Sequence, residues 1–278
     1  MNRPIALATA KPWAMDPRHL ADLARLVASF ASGIHASAAG DGKPAATGKG
    51  YEVKGGLAII PLRGVMVGAR PWWADWLGIE VCVTPDLQCA VGDALADNAV
   101  KAIVLDIESP GGEVSGVADA ADAVRAARSA KPVHAVVSNI CASGAYWVAS
   151  QAGDIAANET AFVGSIGVYT IHEDLSRLYG NSGVEIDVIA SGPLKGAGVA
   201  GTALSPEQRA DVQGGVDGLA EIFMAAVAGG RNKSRECAEK WATGGCWLAG
   251  KARQKGLIDH VETPAAALAR IVSGQGTK

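Results

Sequence analysis

The sequence predicts an α/β fold in which a parallel sheet is joined by crossover helices. Three observations carry this. From Val100 onward, apolar runs of strand length alternate with segments of helical periodicity, and Gly- or Pro-bearing turns punctuate the junctions, as in Ser109-Pro110-Gly111-Gly112. The third observation is bulk composition: 278 residues, 49% hydrophobic and 19% charged, which is enough chain for one large core.

Taken in order, residues Asp16 to Ser32 show helical spacing in Leu20, Leu23, Leu26, Val27 and Phe30, and the following Gly/Ala/Ser-rich stretch with Pro44 reads as a linker. Residues 1–50 are therefore expected to form a helical arm with its linker, and residues 51–278 the main domain. Gly56 to Val67 reads as a strand or strand pair. Arg70 to Gly78 reads as a Pro/Gly-bounded loop whose Trp72, Trp73 and Trp76 are poorly left in water, so it serves as a greasy subunit contact, the favoured reading, as a substrate flap, or as a loop folded back on the core.

Thr84-Pro85-Asp86 has the cap, proline and acid of a helix start, and that helix is expected to run to about Asn98. Val100 to Ile107 is a strand, Val114 to Ala130 a helix, and Val133 to Val137 the next strand. Beyond it, Trp147 to Ala152 is helical, Ala161 to Val168 strand-like, Glu173 to Tyr179 helical and Val184 to Ala190 a strand. Leu204-Ser205-Pro206-Glu207 starts a long helix to about Ala228, and Ser234 to Thr243 suggests another.

Charge narrows the partners. Lysine and arginine number 25 against 28 acids, a net charge of -3, so neither nucleic acid nor an anionic membrane surface is implied. No apolar run reaches the roughly 20 residues that span a bilayer, and no signal-peptide core is present. The five cysteines lack C-x-x-C pairs and metal-ligand spacing with the five histidines, which reads as reduced thiols in a cytoplasmic protein without metal or other cofactor.

The stretch Cys141-Ala142-Ser143-Gly144-Ala145-Tyr146-Trp147 places Ser143 at a strand-to-helix turn among small residues. A serine there is exposed as a nucleophile beside the amides of the next turn, or it simply caps a helix. As nucleophile it needs a base. His134, His172 and His260 have no context that singles them out, although His172 and His260 are worth testing. Lys195 sits in Ser191-Gly192-Pro193-Leu194-Lys195-Gly196-Ala197-Gly198, where no second charge appears from Ser191 to Ala203. Burial among apolar groups would bring a lysine amine from about 10.4 toward roughly 7 to 8, where it serves as a base. Ser165, in Gly164-Ser165-Ile166-Gly167, offers a hydroxyl to hold that amine. Cys141 is the rival thiol, and an apolar strand end favours burying it.

With Ser109-Pro110-Gly111-Gly112, Ala142 to Trp147, Gly164 to Val168, Ser191 to Lys195 and the closing Thr243-Gly244, Gly250-Lys251-Ala252 and Gly256-Leu257-Ile258-Asp259 in this order, the chain resembles the signal peptide peptidase A family of Ser/Lys endopeptidases, including its phage capsid-assembly (prohead) protease branch. The resemblance implies a crotonase-like (ClpP-like) fold, with Ser143 as nucleophile, Lys195 as general base and Ser165 orienting the lysine; homo-oligomeric rings are expected because the Trp72-Trp73-Trp76 loop and the C-terminal helices otherwise carry too much apolar surface. It also implies Gly112 and Gly144 as the oxyanion hole. Composition adds Gly111, Ile140, Val168 and Leu194 as lining of a shallow substrate site for small or apolar side chains.

The implied activity is a serine endopeptidase that cuts capsid scaffold or portal-associated proteins in the host cytoplasm or prohead interior, with no cofactor. The N-terminus departs from the membrane-anchored members, and Ala145 stands where a second glycine is common. A non-proteolytic assembly module on the same fold and an acyl-CoA hydratase-type enzyme are the competing readings.

Overall fold

The computed structural model describes residues 12–15 and 49–274. The helix read over 16–32, the linker as far as residue 48, and His19 and His35 lie outside the described residues.

After β1 (Trp13–Met15) come β2 (Glu52–Lys54), β3 (Leu57–Arg63) and β4 (Val65–Val67), then a short helix α1 (Trp72–Leu77) and β5 (Val81–Val83). Helix α2 (Thr84–Ala96), β6 (Ala102–Ser109), β7 (Gly111–Glu113), α3 (Val117–Arg128), β8 (Val133–Ala142) and α4 (Gly144–Ala149) supply the alternation expected of an α/β chain. β9 (Asp154–Ala157) and β10 (Phe162–Gly164) precede α5 (Ser176–Asn181). The remainder is α6 (Pro206–Gly230), α7 (Arg235–Trp241), β11 (Cys246–Leu248), α8 (Ala249–Lys255), β12 (His260–Val261) and α9 (Pro264–Val272).

The larger sheet has the order β11-β10-β8-β6-β3-β2, with β9 and β12 branching from β8. Strands β3, β6, β8 and β10 run parallel, and β2 and β11 close the edges antiparallel. Both faces of this sheet are covered, which is why β6 is a nearly continuous apolar run rather than an alternating one. Ile103, Leu105 and Ile107 pack with residues of α2, α3 and α4 on one face. Val104 joins Leu57, Val136 and, from α9, Ala267 and Ile271 on the other.

A second sheet of order β1-β7-β4-β5 stands at the carboxyl end of the first. Two glycines let the chain pass from one sheet to the other. Gly64 (φ 72°) turns β3 into β4, and Gly111 (φ 88°) turns β6 into β7, both in the left-handed region that side chains disfavour. A Cβ on Gly64 would stand 2.0 Å from the Glu80 carbonyl oxygen, so the crossing is closed to larger residues.

Three local expectations are corrected. The tryptophan stretch is helix α1, not a loop, and Trp72 and Trp76 are exposed with ring centroids 6.3 Å apart; the Trp73 side chain lies outside the described residues. Thr84 does not cap α2: its hydroxyl bonds the Val67 and Ser115 carbonyls, tying β4 to the turn before α3. Residues 184–190 form no strand. Their alternation of Val184, Ile186 and Val188 has no neighbouring edge to pair with among the described residues, and all three side chains are exposed.

Candidate active site

Each strand-to-turn junction at the carboxyl end of the parallel sheet contributes one part of the site. β8 and β10 pair in register through Ala142 and Gly164, and immediately after that pair Ser143 and Ser165 both adopt positive φ, 54° and 53°. For a residue with a Cβ this conformation costs on the order of 1–3 kcal/mol and persists only where the surroundings enforce it. Here the Ser143 amide is held by the Gly164 carbonyl at 2.7 Å and the Ser165 amide by the Gly245 carbonyl at 2.7 Å.

The helix after Ser143 is fixed by burial. All six residues of α4 are buried, Trp147 stacks on Phe223 of α6 at 4.6 Å, and the Tyr146 hydroxyl donates to the Leu257 carbonyl at 2.8 Å. Arg231 in turn pairs with Asp259, whose other role is to accept from the Ile155 amide. The closing Gly256 to Asp259 pattern is therefore a brace behind the serine turn.

Ser143 is itself buried, and its Oγ has no hydrogen-bond partner among the described residues. An orphaned buried hydroxyl costs about 1–3 kcal/mol, so it marks a group kept for something other than stability. The Gly111-Gly112 turn lies against the backbone on either side of Ser143, at Ala142 and Gly144. Ser109, whose part the sequence did not reveal, pins that turn: its Oγ donates to Gly64 O at 2.6 Å and accepts from the Gly111 amide at 3.2 Å. The Gly111 N–H is thereby engaged, and Gly112, next in the turn, stands opposite Ala14 of β1. A Cβ on Gly111 would stand 2.8 Å from the Gly144 nitrogen, so the two turns touch.

Of the other candidates, Cys141 is fully buried, and burial, with a smaller push from Cys246, raises its thiol far above the ordinary range, which disqualifies it as nucleophile. His134 is buried at the start of β8 and bonds Asp154 at 3.3 Å; His260 also pairs with Asp154, at 3.0 Å, so both belong to a structural cluster. His172 keeps a buried Nε2 without a hydrogen-bond partner among the described residues. Ser165 is buried beside the Ser143 turn.

Lys195 corrects an expectation: it lies exposed on a turn closed by its own amide to the Gly192 carbonyl, 3.1 Å, and no apolar pocket among the described residues encloses it. The reason is that the segment around it packs mainly on itself. A Cβ on Gly196 would meet Val188, and one on Gly201 would meet Ile186 and Tyr179. Leu194 is likewise exposed, Ile140 is half-buried opposite Phe162, and Val168 packs on the core.

Residues 125–278, more than half the chain and including Ser143, Ser165 and Lys195, match peptidase family S49. The chain belongs to peptidase family S49. As a family S49 member it is 34% identical over 184 residues to the head-tail preconnector protein GP5 of Enterobacteria phage P21, an alignment covering 64% of this chain and 35% of that protein. It is 31% identical over 182 residues to the capsid assembly protease C of Escherichia phage lambda, covering 65% and 40%. Protease 4 of Salmonella typhi is 34% identical over 172 residues, covering 62% and 28%. This S49 chain thus matches only about a third of the length of these relatives. Among solved structures, an enoyl-CoA hydratase/isomerase family member superposes with a TM-score of 0.48 at 16% identity, over 82% of this chain and 76% of that one.

Among the described residues no helix is long and apolar enough to cross a membrane, and no group of His, Cys, Asp and Glu has the arrangement of a metal site.

Proposed function

We propose that this chain is a serine endopeptidase in which Ser143 is the nucleophile, Lys195 the general base, Ser165 the group that orients the lysine, and the Gly112 and Gly144 amides the oxyanion hole. The observation that carries this reading is the buried, unpartnered Ser143 Oγ, held at a strained φ beside two glycine turns. Ser143 Oγ adds to the substrate carbonyl carbon and its proton passes to the Lys195 amine. The Gly112 and Gly144 N–H groups take the negative oxygen, and the protonated lysine hands its proton to the departing amine. Water, deprotonated by the same amine, then releases the acyl group and restores Ser143.

A base works only if it is neutral, and the exposed position of Lys195 in one chain does not provide the shelter this needs. The same segment exposes Leu178, Val184, Ile186, Val188, Ile189, Leu194 and Val199, an apolar surface that water disfavours. The reading is therefore of a homo-oligomeric ring whose packing covers this segment and brings the amine to the serine. Residues 51–278 carry the peptidase domain, and the arm expected over residues 1–50 is corrected at Trp13–Met15, which belongs to the second sheet of that domain. Likeness to the phage GP5 and capsid assembly proteins supports protein substrates of head assembly, such as scaffold or portal-associated chains, and action in the host cytoplasm or prohead.

The experiment is hydrolysis of dye-labelled casein together with labelling by a fluorophosphonate. Ser143→Ala is expected to lose both, and Lys195→Ala and Lys195→Arg to lose hydrolysis by at least 10²-fold with folding unchanged, since a guanidinium does not act as a base. His172→Ala is the control. Hydrolysis that survives Lys195→Ala but disappears in His172→Ala would move the base to His172.

A further inference from the structure

We propose that the chain cuts itself between Ala14 and Met15, because β1 lies in the site as a bound substrate strand; this rests on the peptidase reading above. Among the described residues strand β1 stands apart in sequence from the next strand, and Trp13, Ala14 and Met15 are all buried. It is held on both edges. On one side it pairs antiparallel with β7, Trp13 opposite Glu113, Ala14 opposite Gly112 and Met15 opposite Gly111. On the other side the Trp13 amide donates to Tyr169 O at 2.8 Å and the Tyr169 amide to Trp13 O at 3.1 Å. An extended peptide clamped between two edges is how a protease presents a chain for cutting, because main-chain bonds hold any sequence in register.

The register selects the bond. Carbonyls alternate in direction along a strand. The Pro12 carbonyl accepts from the Val114 amide at 3.2 Å, and the Trp13 carbonyl faces Tyr169, so the Ala14 carbonyl is directed back at β7, opposite Gly112. It is the atom nearest to where a Cβ on Gly111 would stand, 2.1 Å, and also the nearest to a Cβ on Gly144, 3.2 Å. Gly111 and Gly144 thus leave the space that this one oxygen fills, and Gly112 stands opposite it across the strand pair. Side chains fix the strand: Trp13 and Met15 pack with Val65 and Val67 on one face, while Ala14 points to the opposite one.

In the cut, Ser143 Oγ bonds to the Ala14 carbonyl carbon, the Ala14–Met15 C–N bond breaks, and the Met15 nitrogen leaves with the proton. Water then hydrolyses the Ala14 ester, so one water is consumed and the products are a piece ending in the Ala14 carboxylate and a chain beginning at Met15. Until this happens the free edge of β7 is occupied, and an outside chain has no strand to pair with. Self-cleavage therefore opens the groove, and the residue preceding a cut in any substrate must be as small as Ala14.

The test follows the intact mass and N-terminal sequence of the freshly purified full chain over time, with dye-labelled casein hydrolysis measured on the same samples. Expected are a species beginning at Met15 in the wild type, its absence in Ser143→Ala, casein hydrolysis that rises as residues 1–14 are lost, and at least tenfold slower self-cleavage in Ala14→Trp. Casein hydrolysis by a chain that keeps residues 1–14, or a new N-terminus at another residue, overturns the proposal and leaves the peptidase reading standing. Absence of both casein hydrolysis and self-cleavage removes that reading as well.

Discussion

The Ser143 amide donates to the Gly164 carbonyl at 2.7 Å, so the turn carrying the proposed nucleophile is locked to the turn carrying Ser165. The parallel pairing of β8 and β10 thus continues one residue beyond its last register pair, and it does so at the expense of a backbone angle that serine disfavours. Stability and chemistry are set against each other at this position, and the first expectation follows from that.

Ser143→Gly removes the strained Cβ and the orphaned hydroxyl together. The variant is expected to gain about 1 kcal/mol in urea denaturation relative to wild type, while casein hydrolysis disappears. A loss of stability would show that the positive φ is not a source of strain.

The glycines of the two turns should separate into two behaviours. A Cβ on Gly112 would sit 1.9 Å from the Met66 carbonyl oxygen, so Gly112→Ala must displace backbone, and a drop of 10²-fold or more in hydrolysis is expected along with reduced stability. Gly144→Ala places a methyl no closer than 3.2 Å to any atom, and that atom is the Ala14 carbonyl oxygen. It is expected to hold stability, with alanine favouring helix α4 by about 0.5–1 kcal/mol, yet to slow hydrolysis. Thermal denaturation beside casein kinetics distinguishes the pair.

At the opposite end of β8, Asp154 accepts from Arg270 at 2.8 Å and contacts His134 and His260. Burial opposes its charge, but the bonds from His134 and Arg270 outweigh that and hold its carboxyl below the usual range. A lowered folded-state value means that its contribution is complete above the unfolded value of about 3.9 and is lost as pH falls through the folded one. Arg270→Ala is expected to lose about 3 kcal/mol at pH 7, with the gap to wild type narrowing in acid, as read by urea titrations from pH 7 to pH 2. A gap independent of pH would place the effect in packing instead.

Tyr146→Phe deletes the donor to the Leu257 carbonyl and leaves that acceptor buried. The expected loss is about 1–3 kcal/mol in chemical denaturation, with casein hydrolysis per folded molecule retained, because the hydroxyl points away from the Ser143 turn toward the C-terminal brace.

How far the sequence carried is clearest in the particular elements. Val100 to Ile107 and Val133 to Val137 had to be buried parallel strands, and Ser205-Pro206 had to open a helix, whose capping box is present with Gln208. Glycine turns and a serine between a strand and a helix are local patterns of residue type, and so the turns that make up the candidate site were legible. The part assigned to Val184, Ile186 and Val188 was not, because alternation alone predicts a strand whether or not an edge exists to receive it.

What the sequence by itself determined was the α/β alternation and the identity of the small residues and the serine gathered at the sheet's carboxyl end. Only the tertiary structure decided that Ser109 pins the Gly111 turn, that Lys195 stands in solvent in the single chain, and that Trp13–Met15 fills the groove between Gly112 and Tyr169. Burial and strand pairing are properties of distant segments meeting in space. A three-residue strand carries no periodicity of its own, and a lysine's surroundings are set by whatever packs against it.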